Sequence, residues 1–299
     1  MRQTFVGRSV PRLEDLPLVT GRGRFAAKLS FPGELHMRIV RSAHAHGKIV
    51  SVDKAKALAA PGCVAVWTFA DVAEVPPIEF RPTRVKGLEP YRQHVLAGDR
   101  VRYVGEPVAA VFAEDAYLAE DAADLVAVDI EPLQPELDAR TASTEPTVIR
   151  KEYGDVHGAF RRAHAVVELD LAIGRHSGVP LETRGAIARH DKARDVLELH
   201  AATKRPHPNR DVIARMLKRS AESVHLFEGH IGGGFGVRGE LYPEDILVCL
   251  AALRLGRPVK WIEDRRENLL ACNHSREQRH RVRAAIDADV LVEIDITEE

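Results

Sequence analysis

Five of the ten residues in His230-Ile231-Gly232-Gly233-Gly234-Phe235-Gly236-Val237-Arg238-Gly239 are glycine. A glycine cluster lets the backbone approach a ligand closely and aims amide N–H groups at an anion. The short apolar segment Val224-His225-Leu226-Phe227 precedes the run, and a helical pattern opening at Pro243-Glu244-Asp245 follows it. Within the run, Gly234-Phe235-Gly236-Val237-Arg238-Gly239 also satisfies the G-x-G-x-x-G pattern of dinucleotide binding. The next strand ends in Glu263-Asp264, about where a ribose-binding acid would stand. Against that reading, Glu240-Leu241-Tyr242-Pro243 separates the last glycine from the helix, and several strands come first. Glu240, Glu244 and Asp245 would also crowd a pyrophosphate with negative charge, although carboxylates suit a helix N-terminus for their own reasons. No Gly-Lys-Ser/Thr follows, which excludes a Walker-type phosphate loop. A bare tight turn around a packed phenylalanine is the remaining reading, and so many glycines make it costly in backbone entropy.

Other residues could carry chemistry. Thr203-Lys204-Arg205-Pro206-His207-Pro208-Asn209-Arg210 lies between a strand and a helix N-terminus, where Lys204 and Arg210 could hold an anion; the alternative is a solvated basic loop. His44-Ala45-His46 could share a metal, but no third ligand is apparent nearby, which favours a structural role. Glu106, in Val104-Gly105-Glu106-Pro107, has no visible partner that would make it a general base. The basic run 276–283 reads as the wet face of a strand.

The elements that would position these residues follow from periodicity. The first ~25 residues, basic and rich in Gly and Pro, read as an extended arm. Strands are expected over 35–40, 48–52 and 63–68, the last buried, with a short helix over 54–60. Residues 73–100, rich in proline, read as a loop excursion. A strand over 108–112, a helix over 116–125 with Tyr117, Leu118, Ala122 and Leu125 on its apolar side, and a strand over 126–130 close a first domain near residue 135. The segment 132–148 reads as a linker. Beyond it come a half-exposed strand over 167–173, neighbouring strands over 186–190 and 196–201, and a helix from an Asn209 N-cap to 218. A helix over 243–255, stopped by Gly256 and Pro258, leads to a strand over 259–262 and a strand pair over 280–286 and 290–296.

Composition bounds the function. The 299 residues suffice for two ordinary domains. The 43 Lys+Arg against 44 Asp+Glu leave no basic excess of the kind a nucleic-acid binder carries. No apolar run approaches the roughly 20 residues of a membrane span, and the N-terminus lacks a secretory signal's apolar core. Cys63, Cys249 and Cys272 are far apart and form no Cys-x-x-Cys, so a disulfide framework, an iron–sulfur cluster or a zinc site from this chain alone is not expected; reduced thiols and a cytoplasmic location are.

Several segments together resemble a known family. They are Val6-Gly7-Arg8-Ser9-Val10-Pro11-Arg12, Val19-Thr20-Gly21-Arg22-Gly23-Arg24-Phe25 and Arg41-Ser42-Ala43-His44-Ala45-His46. To these add residues 101–111, Pro180-Leu181-Glu182-Thr183-Arg184-Gly185, the glycine run and Val259-Lys260-Trp261-Ile262-Glu263-Asp264-Arg265. In this order and spacing, which extends over nearly the whole sequence, the chain resembles the N-terminal part of the molybdopterin-binding large subunit of the xanthine dehydrogenase, aldehyde oxidase and aerobic carbon monoxide dehydrogenase family. The resemblance implies a mixed α/β (α+β) fold: an arm over 1–20, an α/β hammerhead domain over 21–135 and the first part of a molybdenum-cofactor domain over 145–299. It implies that Lys204, Gly232, Gly233, Gly234, Phe235 and Gly236 bind molybdopterin, expected in its cytosine dinucleotide form and carrying molybdenum. It makes His44, His46 and Glu106 structural residues. It implies oxidation of an aldehyde, an N-heterocycle or carbon monoxide with water-derived oxygen, the electrons passing to [2Fe–2S] and FAD on partner subunits.

Departures qualify this. Many members carry glutamine where Lys204 stands, and a lysine brings a fixed positive charge toward the oxo-molybdenum group. Gly239 stands where purine-oxidising members carry a substrate-binding glutamate, with Glu240 shifted by one, so purine specificity does not follow. The family usually has glycine in the turn after Asp287-Ala288-Asp289, where this chain has Val290. A full subunit is more than twice as long, so the expectation is a truncated or split half-subunit: no catalytic residue or direct metal ligand in this chain, and a second polypeptide supplying the C-terminal half. A non-catalytic assembly scaffold and a dinucleotide-binding oxidoreductase are the alternative readings.

Overall fold

The computed structural model describes residues 6–80, 85–142, 147–287 and, as backbone, the strand 290–298. The start of the arm, part of the proline-rich excursion, the centre of the 132–148 linker and the turn at 288–289 lie outside the described residues. The arm contains a short exposed helix, α1 (Asp15–Val19), where an extended segment is expected. Then come β1 (Leu35–Arg41), β2 (Gly47–Asp53), α2 (Ala55–Leu58), β3 (Cys63–Trp67), α3 (Phe69–Val72), β4 (Arg100–Val101), β5 (Pro107–Ala113), α4 (Ala116–Asp124) and β6 (Ala127–Pro132). The later part runs through α5 (Val156–Arg162), β7 (Ala165–Ile173), β8 (Gly185–Asp191), β9 (Val196–Ala201), α6 (Pro206–Met216), β10 (Val224–Phe227), α7 (Pro243–Leu255), β11 (Val259–Ile262), α8 (Arg265–Ala271), β12 (Gln278–Asp287) and β13 (Val290–Glu298).

One seven-stranded sheet, in the order β10-β9-β8-β11-β1-β5-β3, takes strands from both sides of the linker. The join is a parallel pairing of β1 with β11, Leu35 beside Val259. In β5 the alternation of side chains sends Ala110 and Phe112 into the main core and Ala109 and Val111 into a second core under α2 and α4. That explains a strand with no polar residue: both its faces are covered. Helix α7 lies in the main core through Ile246, Leu247, Cys249 and Leu250. Pro at its N1/N2 positions opens it and left-handed Gly256 ends it, as the sequence predicts.

Two smaller sheets complete the fold, β4-β2-β6 and β13-β12-β7. The strand at 167–173 was expected beside β8 and β9; instead β7 pairs along its whole length with β12. It is also exposed on both faces rather than half-covered. β3 is only partly buried, with Val64 exposed. On α4 the buried residues are Ala119 and Ala122, whereas Tyr117 points to solvent at 81% exposure. Small residues fill the close approach of α4 to β1 and β5, which has no room for a tyrosine ring. No helix among the described residues is long and apolar enough to cross a membrane.

Candidate cofactor-binding site

β9 and β10 are parallel neighbours joined by α6, Val224 lying beside Leu197. The Lys204 loop leaves the carboxyl end of β9 and the glycine run leaves the carboxyl end of β10, so both loops emerge from the same end of this parallel pair, the end where ligands collect in parallel sheets. The loops touch: the Lys204 N–H donates to the Arg238 carbonyl at 3.1 Å. Asn209, expected as the helix N-cap, is instead buried inside α6, where its Nδ2 donates to Thr203 Oγ1 at 2.7 Å. The N-cap is Arg205, with Pro206 opening the helix. Asn209 thus fastens the loop to the helix through a buried side-chain bond to a residue six positions earlier.

The glycine run is backbone-contorted. Gly233, Phe235 and Gly236 all have positive φ, +108°, +46° and +89°. Phe235 is the informative one, since a bulky residue in this region costs on the order of 1–3 kcal/mol and its ring is 77% exposed. Gly232 is required by close approach, because a Cβ there would lie 2.4 Å from Glu182 Cβ. Gly234 has ordinary φ and nothing within 4 Å of a Cβ built on it. No close approach within the protein demands a glycine at Gly234, and the space beside it is open. Phe235 and Gly236 border a cavity of about 1620 Å³, along with Gly178, Tyr103, Tyr242 and His274. Lys204 is exposed but is not part of that cavity wall.

A charged network lies beneath. Gly232 N–H donates to Glu182 Oε2 at 2.7 Å, and Arg238, 3% exposed, reaches the same carboxylate at 3.1 Å. Next to it, buried Arg184 binds Glu263 at 2.5 Å and Glu244 at 3.2 Å, and stacks 3.8 Å above the Tyr242 ring. Arg41 of β1 completes the network at Glu244, 2.7 Å away. Burial pushes the Glu244 carboxyl up, but Arg184 and Arg41 outweigh it and hold the group at about 2. Desolvation lifts Asp245 to about 6, although Tyr242 N–H donates to it. These acids are therefore structural: Glu244 is an ion-pair partner and Asp245 caps α7.

The remaining candidates separate clearly. Glu263 is consumed by Arg184 and Asn268, and Asp264 caps α8 while binding Arg38, so neither of these two acids is open to a ribose. The run also leads into a single 3-10 turn, Val237–Gly239, and not directly into a helix. His46 Nδ1 lies 3.0 Å from the Gln134 carbonyl, and His44 N–H donates to Ser42 Oγ. Glu106 Oε2 accepts from the Arg102 N–H at 2.5 Å, and burial pushes its carboxyl up. Cys63, Cys249 and Cys272 are free thiols. Sequence reasoning gave no role to Glu182, Arg184 or Arg238, whose partners lie tens of residues away. The available signal was a charge pair, Glu182 and Arg184, immediately before an apolar strand.

Comparison with known proteins gives this geometry a family. A model described as the molybdopterin cofactor-binding domain matches residues 140–296, more than half of the chain. A second, described as the aldehyde oxidase and xanthine dehydrogenase a/b hammerhead domain, matches residues 20–134. The chain belongs to the aldehyde oxidase and xanthine dehydrogenase family of molybdopterin-binding chains. Among its relatives, the 6-hydroxypseudooxynicotine dehydrogenase complex subunit gamma of Paenarthrobacter nicotinovorans is 41% identical, over 96% of this chain and 38% of its own length. The nicotine 6-hydroxylase large subunit of the same organism is 38% identical, over 95% of this chain and 36% of its own. The crystal structure of quinoline 2-oxidoreductase from Pseudomonas putida 86 superposes with a TM-score of 0.86 at 37% identity, covering 98% of this chain and 39% of that one. The molybdopterin-binding chain described here spans about two fifths of the length of these relatives.

The residues present fit such a group. A pterin needs flat space, backbone donors and an apolar surface; Gly234 leaves the space and Phe235 presents an exposed ring beside it.

Proposed function

We propose that the glycine run and the Lys204 loop form one wall of the molybdopterin site of a molybdenum hydroxylase acting on an N-heteroaromatic ring. The observation that carries this reading is Phe235, held exposed in a strained left-handed conformation beside the open space at Gly234. The ring preference is supported by two relatives that act, by their names, on nicotine and quinoline, while others are named for carbon monoxide. The molybdenum cofactor, when bound, supplies two-electron oxidation with water-derived oxygen.

In this reading Gly232, Gly233, Gly234 and Gly236 admit the cofactor against the backbone; the Gly232 amide is taken by Glu182, and the amides of Gly233, Gly234 and Gly236 are the donors. Phe235 offers an apolar edge that excludes water, and Lys204 sets a positive charge near the loop. Glu182, beside the run, is engaged as an acceptor by Gly232 and Arg238. The wall therefore supplies binding and orientation, and a general base comes from elsewhere in the complete enzyme. The cytosine dinucleotide form of the cofactor, [2Fe–2S] and FAD on partner subunits, and a C-terminal half of the molybdenum subunit belong to the same proposal.

Gly234→Leu tests it. A Cβ at this position meets nothing within 4 Å in the protein and the space beyond it is open, so the melting temperature is expected to stay near the wild-type value. Pterin released per chain, read by fluorescence after oxidation, is expected to fall by about tenfold, the equivalent of roughly 1.4 kcal/mol of binding. Unchanged pterin in a folded Gly234→Leu protein would remove the run from the cofactor site.

A further inference from the structure

We infer that Arg238 is the positioning residue of this site: a single buried guanidinium that fixes the glycine run against the segment before β8 and sets its spacing from the Lys204 loop. The importance of the loop rests on the function proposed above; the positioning itself rests on geometry. Arg238 Nε donates to the Gly233 carbonyl at 2.8 Å. Its Nη2 reaches the Glu182 carbonyl at 2.7 Å, the Thr183 carbonyl at 3.0 Å and Glu182 Oε2 at 3.1 Å. Its own carbonyl accepts from Lys204 N–H at 3.1 Å. One residue thus touches three segments that are far apart in sequence, after β9, after β10 and before β8.

The run has other restraints, chiefly at its ends: His230 N–H donates to the Arg24 carbonyl, Tyr242 O–H to the Val237 carbonyl at 2.7 Å, and Gly239 N–H to the Gly236 carbonyl. Val237 N–H donates to the Gly234 carbonyl, and Gly232 exchanges bonds with Glu182 through Glu182 N–H to the Gly232 carbonyl and Gly232 N–H to Glu182 Oε2. Glu182 is therefore the anvil of the clasp, gripped from the run by Gly232 and from beyond it by Arg238. A glycine-rich segment has high intrinsic backbone freedom, so its left-handed residues persist only if something over-determines them. The planar fork of arginine meets several acceptors at fixed angles, which a lysine ammonium cannot reproduce. Arg238 Nη1 is enclosed and finds no partner among the described residues, so the guanidinium is held in this pose despite one unsatisfied donor.

The test uses the full chain, made in a host that synthesises molybdopterin, as wild type, Arg238→Met and Arg238→Lys. Backbone amide exchange is followed for peptides covering 231–237 and 203–205, with peptides from β1 and β5 as internal references. In Arg238→Met, exchange over 231–237 is expected to rise by about tenfold or more while β5 keeps its protection. Arg238→Lys, which keeps the charge and only part of the fork, is expected to fall between the two. Pterin per chain is expected to follow the same order. Wild-type exchange over 231–237 in both variants overturns the assignment. So does loss of protection throughout β1 and β5 in Arg238→Lys, which would make Arg238 part of the general core. If Arg238→Met does not fold, Arg238→Lys is judged alone by the same criteria. A loop that loosens in a protein whose wild type carries no pterin would sink the proposed function and leave the positioning role standing.

Discussion

The seven-stranded sheet and the β7-β12-β13 sheet show two outcomes for strands of apolar residues. In β5 every residue is buried, and its sequence has no polar position. In β7 apolar and charged residues alternate, and every residue is exposed, including the row Val167, Leu169, Leu171 and Ile173. The other face of the small sheet is partly covered by α5, where Arg283 sits 4.7 Å over the Phe160 ring and Ala285 is fully buried. Alternation reports which face of a strand is apolar. It does not report whether the chain carries the layer that would cover it.

The contrast can be broken or sharpened by measurement. The largest effect is expected at the network that ties the main sheet to its helices. Arg184→Met leaves the buried Glu263 carboxylate without its guanidinium and Glu244 with Arg41 alone, a loss on the order of 3–5 kcal/mol by urea unfolding. A loss under about 1 kcal/mol would show that those carboxylates are satisfied without it.

The same truncation in the two sheets is the direct comparison. Leu197→Ala in β9, where the leucine is fully buried, is expected to cost about 2–5 kcal/mol. Leu169→Ala in β7, with the leucine 52% exposed, is expected to stay within about 0.5 kcal/mol. Equal costs would mean that the β7 row is covered in solution.

The smallest effect is a pH dependence at the start of α7. Desolvation raises Asp245 from 3.8 to about 6, with Glu244 adding to the rise. A folded-state carboxyl raised above its unfolded value contributes stability that is complete below the unfolded pKa and gone above the folded one. Wild-type stability relative to Asp245→Asn should therefore decline as pH rises from about 4 to about 6. A flat difference across that window would leave Asp245 without a part in it.

Much of the fold was legible because local signals agreed with tertiary ones. Helix α7 is bounded by its proline and its left-handed glycine, and β8 and β9 are joined by the tight turn at Asp191 to Arg194. Helix α8 was not anticipated, although Asp264 and Glu267 form a capping box that announces it. The partner of β7 was misassigned because nearness in sequence suggested β8, while the register was settled by β12, more than a hundred residues later. Within the site, the glycine run could be located from composition alone. Its clasp could not, because Glu182 and Arg238 look like ordinary surface charges until the chain brings them together. The strain at Phe235 has no sequence signature at all.

The pairing of β1 with β11 has a consequence for biosynthesis. Leu35 waits for Val259, and a ribosome adding about 5–20 residues per second needs roughly 10–45 s to make the intervening chain. Throughout that interval the nascent chain leaves the Leu35–His36 edge of β1 without its final partner. The early half of this protein can thus complete its main sheet only after β11 has been made.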